Sequence, residues 1–240
     1  MIDPWLAAAS VAGGYLVGSV SMARAVSRLA RPGTPVRVDT EIRLEGSDAS
    51  LTFGTVSASS VSLQHGAKYG FLTYVLDMLK VVVPVSLVRA LAPGAPYFLL
   101  VAVAAVVGHI WPVWHRFRGG RGLAPIYATV LVIDWLGMFV TSIIGMAFGL
   151  FVVRSFPVAY MAGVWLLVPW FWFRTHRWEY VAFALAANLL FTVAALPELR
   201  QWARIRHEEK WNDPTELMKL SGMGRGILKL TRRFGVAKPR

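Results

Sequence analysis

The chain has 240 residues, is 56% hydrophobic and only 16% charged, and has a mean hydropathy of +0.53. That balance excludes an ordinary soluble domain and indicates a polytopic membrane protein. Cysteine is absent, which excludes disulfides, thiolate zinc sites and thiol nucleophiles. Of the net charge of +12, much falls at the end: residues 200–240 hold eleven Lys/Arg against four Asp/Glu. A basic tail after the last apolar run suits anionic lipid on an inner membrane face better than nucleic acid.

Met1-Ile2-Asp3-Pro4 lacks the basic start of a signal peptide, so the first apolar run reads as a spanning helix. Runs follow at Pro4–Ser27, Tyr69–Ala90, Pro96–Trp114, Leu123–Val153, Val158–Phe173 and Tyr180–Leu196. The fourth is too long for one crossing and contains Asp134, costly in a bilayer centre, so it divides into two short helices near that residue. The expectation is an all-α, seven-crossing membrane domain over residues 1–198, N-terminus outside, with a basic tail over 199–240 inside. Loops 28–68 and 115–122 then share the side of the tail. Arg174-Thr175-His176-Arg177 falls outside, as the one exception to the charge rule.

In loop 28–68, Val36, Val38, Thr40, Ile42 and Leu44 alternate with Arg37, Asp39, Glu41, Arg43 and Glu45. That period of two predicts a strand, with Gly46-Ser47-Asp48 as a turn and Leu51-Thr52-Phe53 returning as its partner. The next segment, Gly54-Thr55-Val56-Ser57-Ala58-Ser59-Ser60, is small and hydroxyl-rich. It suits either the lining of a polar cavity or a solvated linker. Asp77 and Lys80 share one face of a helix, as a functional site or as a structural ion pair.

At Gly108-His109-Ile110-Trp111-Pro112 and on through Arg116-Phe117-Arg118-Gly119-Gly120-Arg121-Gly122, an apolar run gives way to three arginines and three closely spaced glycines. Glycines let backbone N–H groups approach an anion, and guanidiniums offer paired donors of the right shape for phosphate. A phosphate-binding loop at the membrane edge is one reading; a basic loop set only by topology is the other. His109 and His115 have no acid nearby, so no metal site is expected. The tail offers Pro214 as a helix start, then Leu217, Leu220, Ile227, Leu228 and Phe234 among basic residues. This pattern predicts an amphipathic helix lying on a membrane surface.

Several motifs together resemble the bacterial acyl-phosphate:glycerol-3-phosphate acyltransferases of the PlsY type. They are Gly14-Tyr15-Leu16-Val17-Gly18-Ser19-Val20, Gly66-Ala67-Lys68-Tyr69-Gly70 with Leu76-Asp77-Met78-Leu79-Lys80, and Gly108-His109 followed by Phe117-Arg118-Gly119-Gly120-Arg121-Gly122-Leu123-Ala124. The resemblance implies transfer of an acyl group from acyl phosphate to the 1-hydroxyl of glycerol 3-phosphate, giving lysophosphatidate and inorganic phosphate. It implies no cofactor, metal or nucleic acid; the partners are the two substrates and membrane lipid, and the place is a bacterial plasma membrane. Carried over by position, Gly119, Gly120, Arg121, Gly122 and Arg118 would bind phosphate. Ser47 and His109 would be catalytic, His109 having a helix-end structural role as its alternative. Thr55, Ser57, Ser60 and Lys80 would line the substrate cavity.

The family pattern is also eroded in places. Arg121 stands where the family usually has lysine, and the family arginine of the first cytoplasmic motif falls at Leu63. The His-x-x-Asn after the last helix is missing, with Pro197 to Arg200 in its place and His207 and Asn212 at the wrong spacing. A non-catalytic or changed-acceptor homologue that binds phosphorylated lipid precursors is therefore the alternative. A small-solute transporter lies further off, since the chain shows no repeated halves.

Overall fold

Asp3 starts the first helix: its carboxylate accepts the N–H groups of Trp5 and Leu6 at 2.8 and 3.1 Å, and Pro4 fills the first turn. The computed structural model describes residues 2–34, 36–43, 50–153 and 156–208. Helix α1 runs Pro4–Gly18 and α2 runs Met22–Ala30. The segment expected to span over Pro4–Ser27 is thus one apolar stretch with a helix break at residues 19–21, where serines bond locally. Ser19 Oγ donates back to Tyr15 O at 2.8 Å, and Ser21 Oγ caps α2 through the Arg24 N–H, while α2 buries Ala23, Val26 and Ser27 on one face.

Strand β1 (Thr40–Arg43) pairs antiparallel with β2 (Ser50–Phe53), in the register Thr40↔Phe53 to Arg43↔Ser50. The strand is shorter than the alternation in sequence suggests. The backbone N–H and C=O of Arg37 are taken by the Gln64 amide at 2.8 and 3.1 Å, so no ladder can form there. Helix α3 is Ala58–His65 and α4 is Ala67–Leu91. Val36, Val56 and Val61 pack with Ala23 and Val26 in a satellite core that fastens this small layer to α2.

Helix α5 (Tyr97–Ile110) is buried nearly all round and forms the axis of the molecule. Helix α1 lies against it at backbone contact distance. A Cβ on Gly14 would sit 2.4 Å from Val101 O, one on Gly18 2.3 Å from Ala105 O, and one on Gly108 2.2 Å from Tyr15 O. Small residues one turn apart are what allow such packing between apolar helices. The remaining helices are α6 (Leu123–Ile133), α7 (Trp135–Ala147, followed by a π-helical turn Phe148–Val152), α8 (Phe156–Trp165), α9 (Leu167–Thr175) and α10 (Trp178–Glu208). The run at 158–173 is interrupted before Pro169, which has no N–H to give and sits in the first turn of α9.

Asp134 divides α6 from α7, as its cost in a bilayer requires. Its Oδ1 accepts the Leu136 N–H at 3.2 Å, while Oδ2 accepts Trp170 Nε1 at 3.0 Å and pairs with Arg174 at 3.4 Å. Among the described residues, five segments are long and apolar enough to cross a membrane: Pro4–Ala30, Ala67–Leu91, Tyr97–His115, Trp135–Val152 and Trp178–Gln201. The shorter apolar helix Leu123–Ile133 lies among them. The amphipathic helix expected in the tail lies outside the described residues.

Candidate active site at the glycine-rich loop

After Ile110 the chain turns at Pro112, makes a short 3-10 turn over Val113–His115, and reverses through two left-handed residues, Arg116 (φ 53°) and Phe117 (φ 58°). The reversal lays the glycines back along the end of α5. Gly119 N–H donates to Ile110 O at 3.1 Å and Gly120 N–H to His109 O at 3.0 Å, capping carbonyls that the helix cannot satisfy itself. A Cβ on Gly119 would lie 2.1 Å from His109 O, and one on Gly120 2.3 Å from His109 Nε2. These two glycines are therefore required by packing. The sequence expectation gave their N–H groups to a phosphate; the fold gives them to α5. Gly122 (φ +91°) then opens α6 without a side-chain cap, so the Leu123 and Ala124 N–H groups of its first turn have no capping side chain, and Pro125 has no N–H.

Two elements hold the outer edge of the loop. Val56 N–H donates to Gly119 O at 2.9 Å, and Arg24 Nη2 donates to Arg118 O at 2.9 Å. The first bond brings the hydroxyl-rich segment onto the loop. Within that segment Ser60 is buried and occupied: its Oγ accepts the Ser57 N–H at 3.1 Å and donates to Thr55 O. Ser57 is the N-cap of α3. Thr55 Oγ1 is buried without a partner among the described residues, which leaves it a hydroxyl to offer beside the loop. Arg24 was missed in the sequence. The signal was there in Ser21 as a cap and in the four-residue spacing of Arg24 and Arg28 on a short amphipathic helix.

His109 and Lys80 meet inside the bundle. Lys80 Nζ lies 2.8 Å from Asp77 Oδ1, 3.1 Å from His109 Nδ1, and donates to Gly18 O at 3.1 Å and Val20 O at 2.6 Å. An ammonium has three N–H groups, so these four acceptors saturate it. Asp77, Lys80 and His109 are all buried, at the junction of the α1–α2 corner, α4, α5 and the loop.

Arg121 turns away from the loop and pairs with Glu198 on α10, Nε to Oε1 at 2.9 Å and Nη2 to Oε2 at 2.5 Å. One turn further along α10, Gln201 Oε1 accepts the Thr52 N–H at 3.2 Å, so the β-hairpin, α10 and the loop converge. Arg118 carries an exposed side chain at the same edge. His65 is drawn elsewhere: its Nε2 is 2.7 Å from the buried Ser27 Oγ. Ser47 and the side chain of His207 lie outside the described residues.

Residues 8–207 match the family model for glycerol-3-phosphate acyltransferase. The chain is 32% identical over 219 residues to a glycerol-3-phosphate acyltransferase of Anaeromyxobacter sp. (strain Fw109-5), covering 88% of this chain and 98% of that one. It is 40% identical over 123 residues to one of Anaeromyxobacter dehalogenans (strain 2CP-C), a match spanning 50% of this chain and about half (55%) of that relative's length. The crystal structure of PlsY (YgiH), an integral membrane glycerol 3-phosphate acyltransferase in its glycerol 3-phosphate form, superposes with a TM-score of 0.67 at 22% identity. It covers 83% of this chain and 93% of the other, and shows that the fold is shared. The chain is an integral membrane protein and belongs to the glycerol-3-phosphate acyltransferase family.

Proposed function

We propose that this protein transfers an acyl group from acyl phosphate to the 1-hydroxyl of glycerol 3-phosphate in phospholipid synthesis, giving lysophosphatidate and inorganic phosphate. The observation that carries the reading is the Val56–Gly119 hydrogen bond, which seats the hydroxyl-rich segment on the glycine-rich loop at one end of an apolar bundle. Phosphate donors and a route for an acyl chain then meet in one place, as a lipid-forming transfer demands. In the step itself the hydroxyl oxygen bonds to the acyl carbon, the carbon–oxygen bond to phosphate breaks, and phosphate leaves with the proton.

The roles follow from position. The N-terminal N–H groups of α6 after Gly122, the exposed Arg118 and the hydroxyls of Thr55 and Ser57 face the phosphates. Gly119, Gly120, Ser60, Lys80 and His109 hold the loop and its neighbours in shape, and Arg121 is a guanidinium fixed at the edge by Glu198. Ser47, outside the described residues, is proposed at the reacting centre on the family resemblance alone. Seven crossings are proposed, with α8 and α9 acting together as one. The loop, hairpin and tail lie on the cytoplasmic side of the plasma membrane, and the N-terminus lies outside.

The test is direct. Purified protein given glycerol 3-phosphate and an acyl phosphate should release lysophosphatidate and phosphate in equal amounts. Product no higher than in a protein-free control would overturn the reading. The Arg121–Glu198 pair favours one rival, a homologue that binds phosphorylated lipid precursors without turning them over, because a carboxylate neutralises a loop cation. That rival predicts a thermal shift with glycerol 3-phosphate and no product.

A further inference from the structure

Arg24 stands out among the basic groups of the molecule. Its guanidinium is half-buried, and two of its N–H groups are used, on Arg118 O at 2.9 Å and Ser21 Oγ at 3.3 Å. A guanidinium has five N–H donors. The rest have no acceptor among the described residues, and no carboxylate there pairs with Arg24. Arg28, one turn on, repels it, and both arginines act on His115. Partial burial of a cation beside like charge is unfavourable unless an anion joins them.

The direction of the spare donors also matters. Arg24 touches the carbonyl of Arg118, the residue just before the glycines, while Val56 N–H holds the next carbonyl of the same loop. Ala23, its neighbour, packs on Val56 in one apolar cluster, so Arg24 and Thr55 flank the loop from adjacent elements. Position 63, by contrast, carries leucine and supplies no cation.

We infer that Arg24 is a phosphate-binding residue, whose guanidinium clamps a terminal phosphoryl group against the loop while tethering Arg118 O. The inference rests on the proposed function for the identity of the phosphate. Two sources share the chemistry, the acceptor glycerol 3-phosphate and the acyl phosphate donor, and kinetics separates them.

The experiment uses the purified full chain with three variants. R24Q removes the charge and leaves a shorter neutral amide, R24K keeps the charge, and R31Q alters an exposed arginine at the C-terminal end of α2. The first readout is binding of glycerol 3-phosphate and inorganic phosphate by titration calorimetry, which needs no turnover. R24Q should bind about 10- to 100-fold more weakly, the range for losing a charge-assisted hydrogen bond. R24K should recover part of the loss, and R31Q should match the wild type. The second readout is KM: a rise confined to glycerol 3-phosphate assigns the acceptor's phosphate, and a rise confined to acyl phosphate assigns the donor's. Wild-type binding and KM values in R24Q would overturn the inference, as would a wild type that binds no phosphate. Weakened binding in R24Q alongside a wild type that makes no lysophosphatidate would uphold Arg24 and overturn the proposed reaction.

Discussion

Arg121 and Glu198, 77 residues apart, meet in a two-pronged ion pair that ties the glycine-rich loop to the last helix. Both side chains are mostly buried, at 17% and 18% exposure. Two parallel contacts fix orientation as well as charge. Through this pair α10 reaches the loop without any residue of its own between α5 and α6.

Removing either partner should lower stability by roughly 1–3 kcal/mol, between the limits for exposed and buried pairs. The double variant R121A/E198A should lose less than the sum of the single ones, because the second substitution removes a charge already stranded by the first. Thermal unfolding in detergent reads this out, and strict additivity would mean that the two side chains do not support one another.

Gly120→Ala should damage the loop severely, since the added carbon would lie 2.3 Å from His109 Nε2. Overpacking of this kind costs about 1–3 kcal/mol where neighbours can shift. Shortening the neighbour in H109A/G120A should restore part of the stability lost in G120A. No recovery in the double variant would place the damage in the backbone and not at the imidazole.

Lys80→Met strands Asp77 in the bundle and should cost about 3–5 kcal/mol, the usual penalty for breaking a buried pair. Replacing both, as D77L/K80M, should recover much of that stability while leaving Gly18 O and Val20 O without their donor. A double variant with native-like melting but reduced lysophosphatidate synthesis is the expected outcome.

Asp134→Ala acts at the other end of the bundle. It removes a helix cap worth about 1 kcal/mol and the contacts to Trp170 and Arg174. The melting temperature should fall while KM for glycerol 3-phosphate stays unchanged. A change in KM would mean that the two ends of the bundle are coupled.

Much of this arrangement was legible in the residues. Hydropathy located the apolar helices, and Asp134 marked a helix boundary because an acid there needs the α7 N-terminus, an indole and an arginine. The glycine motif located the loop. The direction of its N–H groups was hidden, because sequence spacing does not reveal that Arg116 and Phe117 turn left-handed and fold Gly119 and Gly120 onto α5. Ser19 and Ser21 were small enough to vanish inside an apolar run, so the α1–α2 corner and Arg24 were missed. Glu198 was equally opaque: its partner lies far away in the chain, and only the packing of α10 makes them neighbours.

Lys80 closes a corner made of residues some 60 positions before it, by filling Gly18 O and Val20 O. A bend secured by a later segment cannot be locked as it leaves the ribosome. The local serine bonds can bend the chain at once, but the two open carbonyls of that bend gain their partner only when α4 packs beside it. The binding end is therefore built from three segments distant in the chain, and a chain cut before α5 would lack part of it.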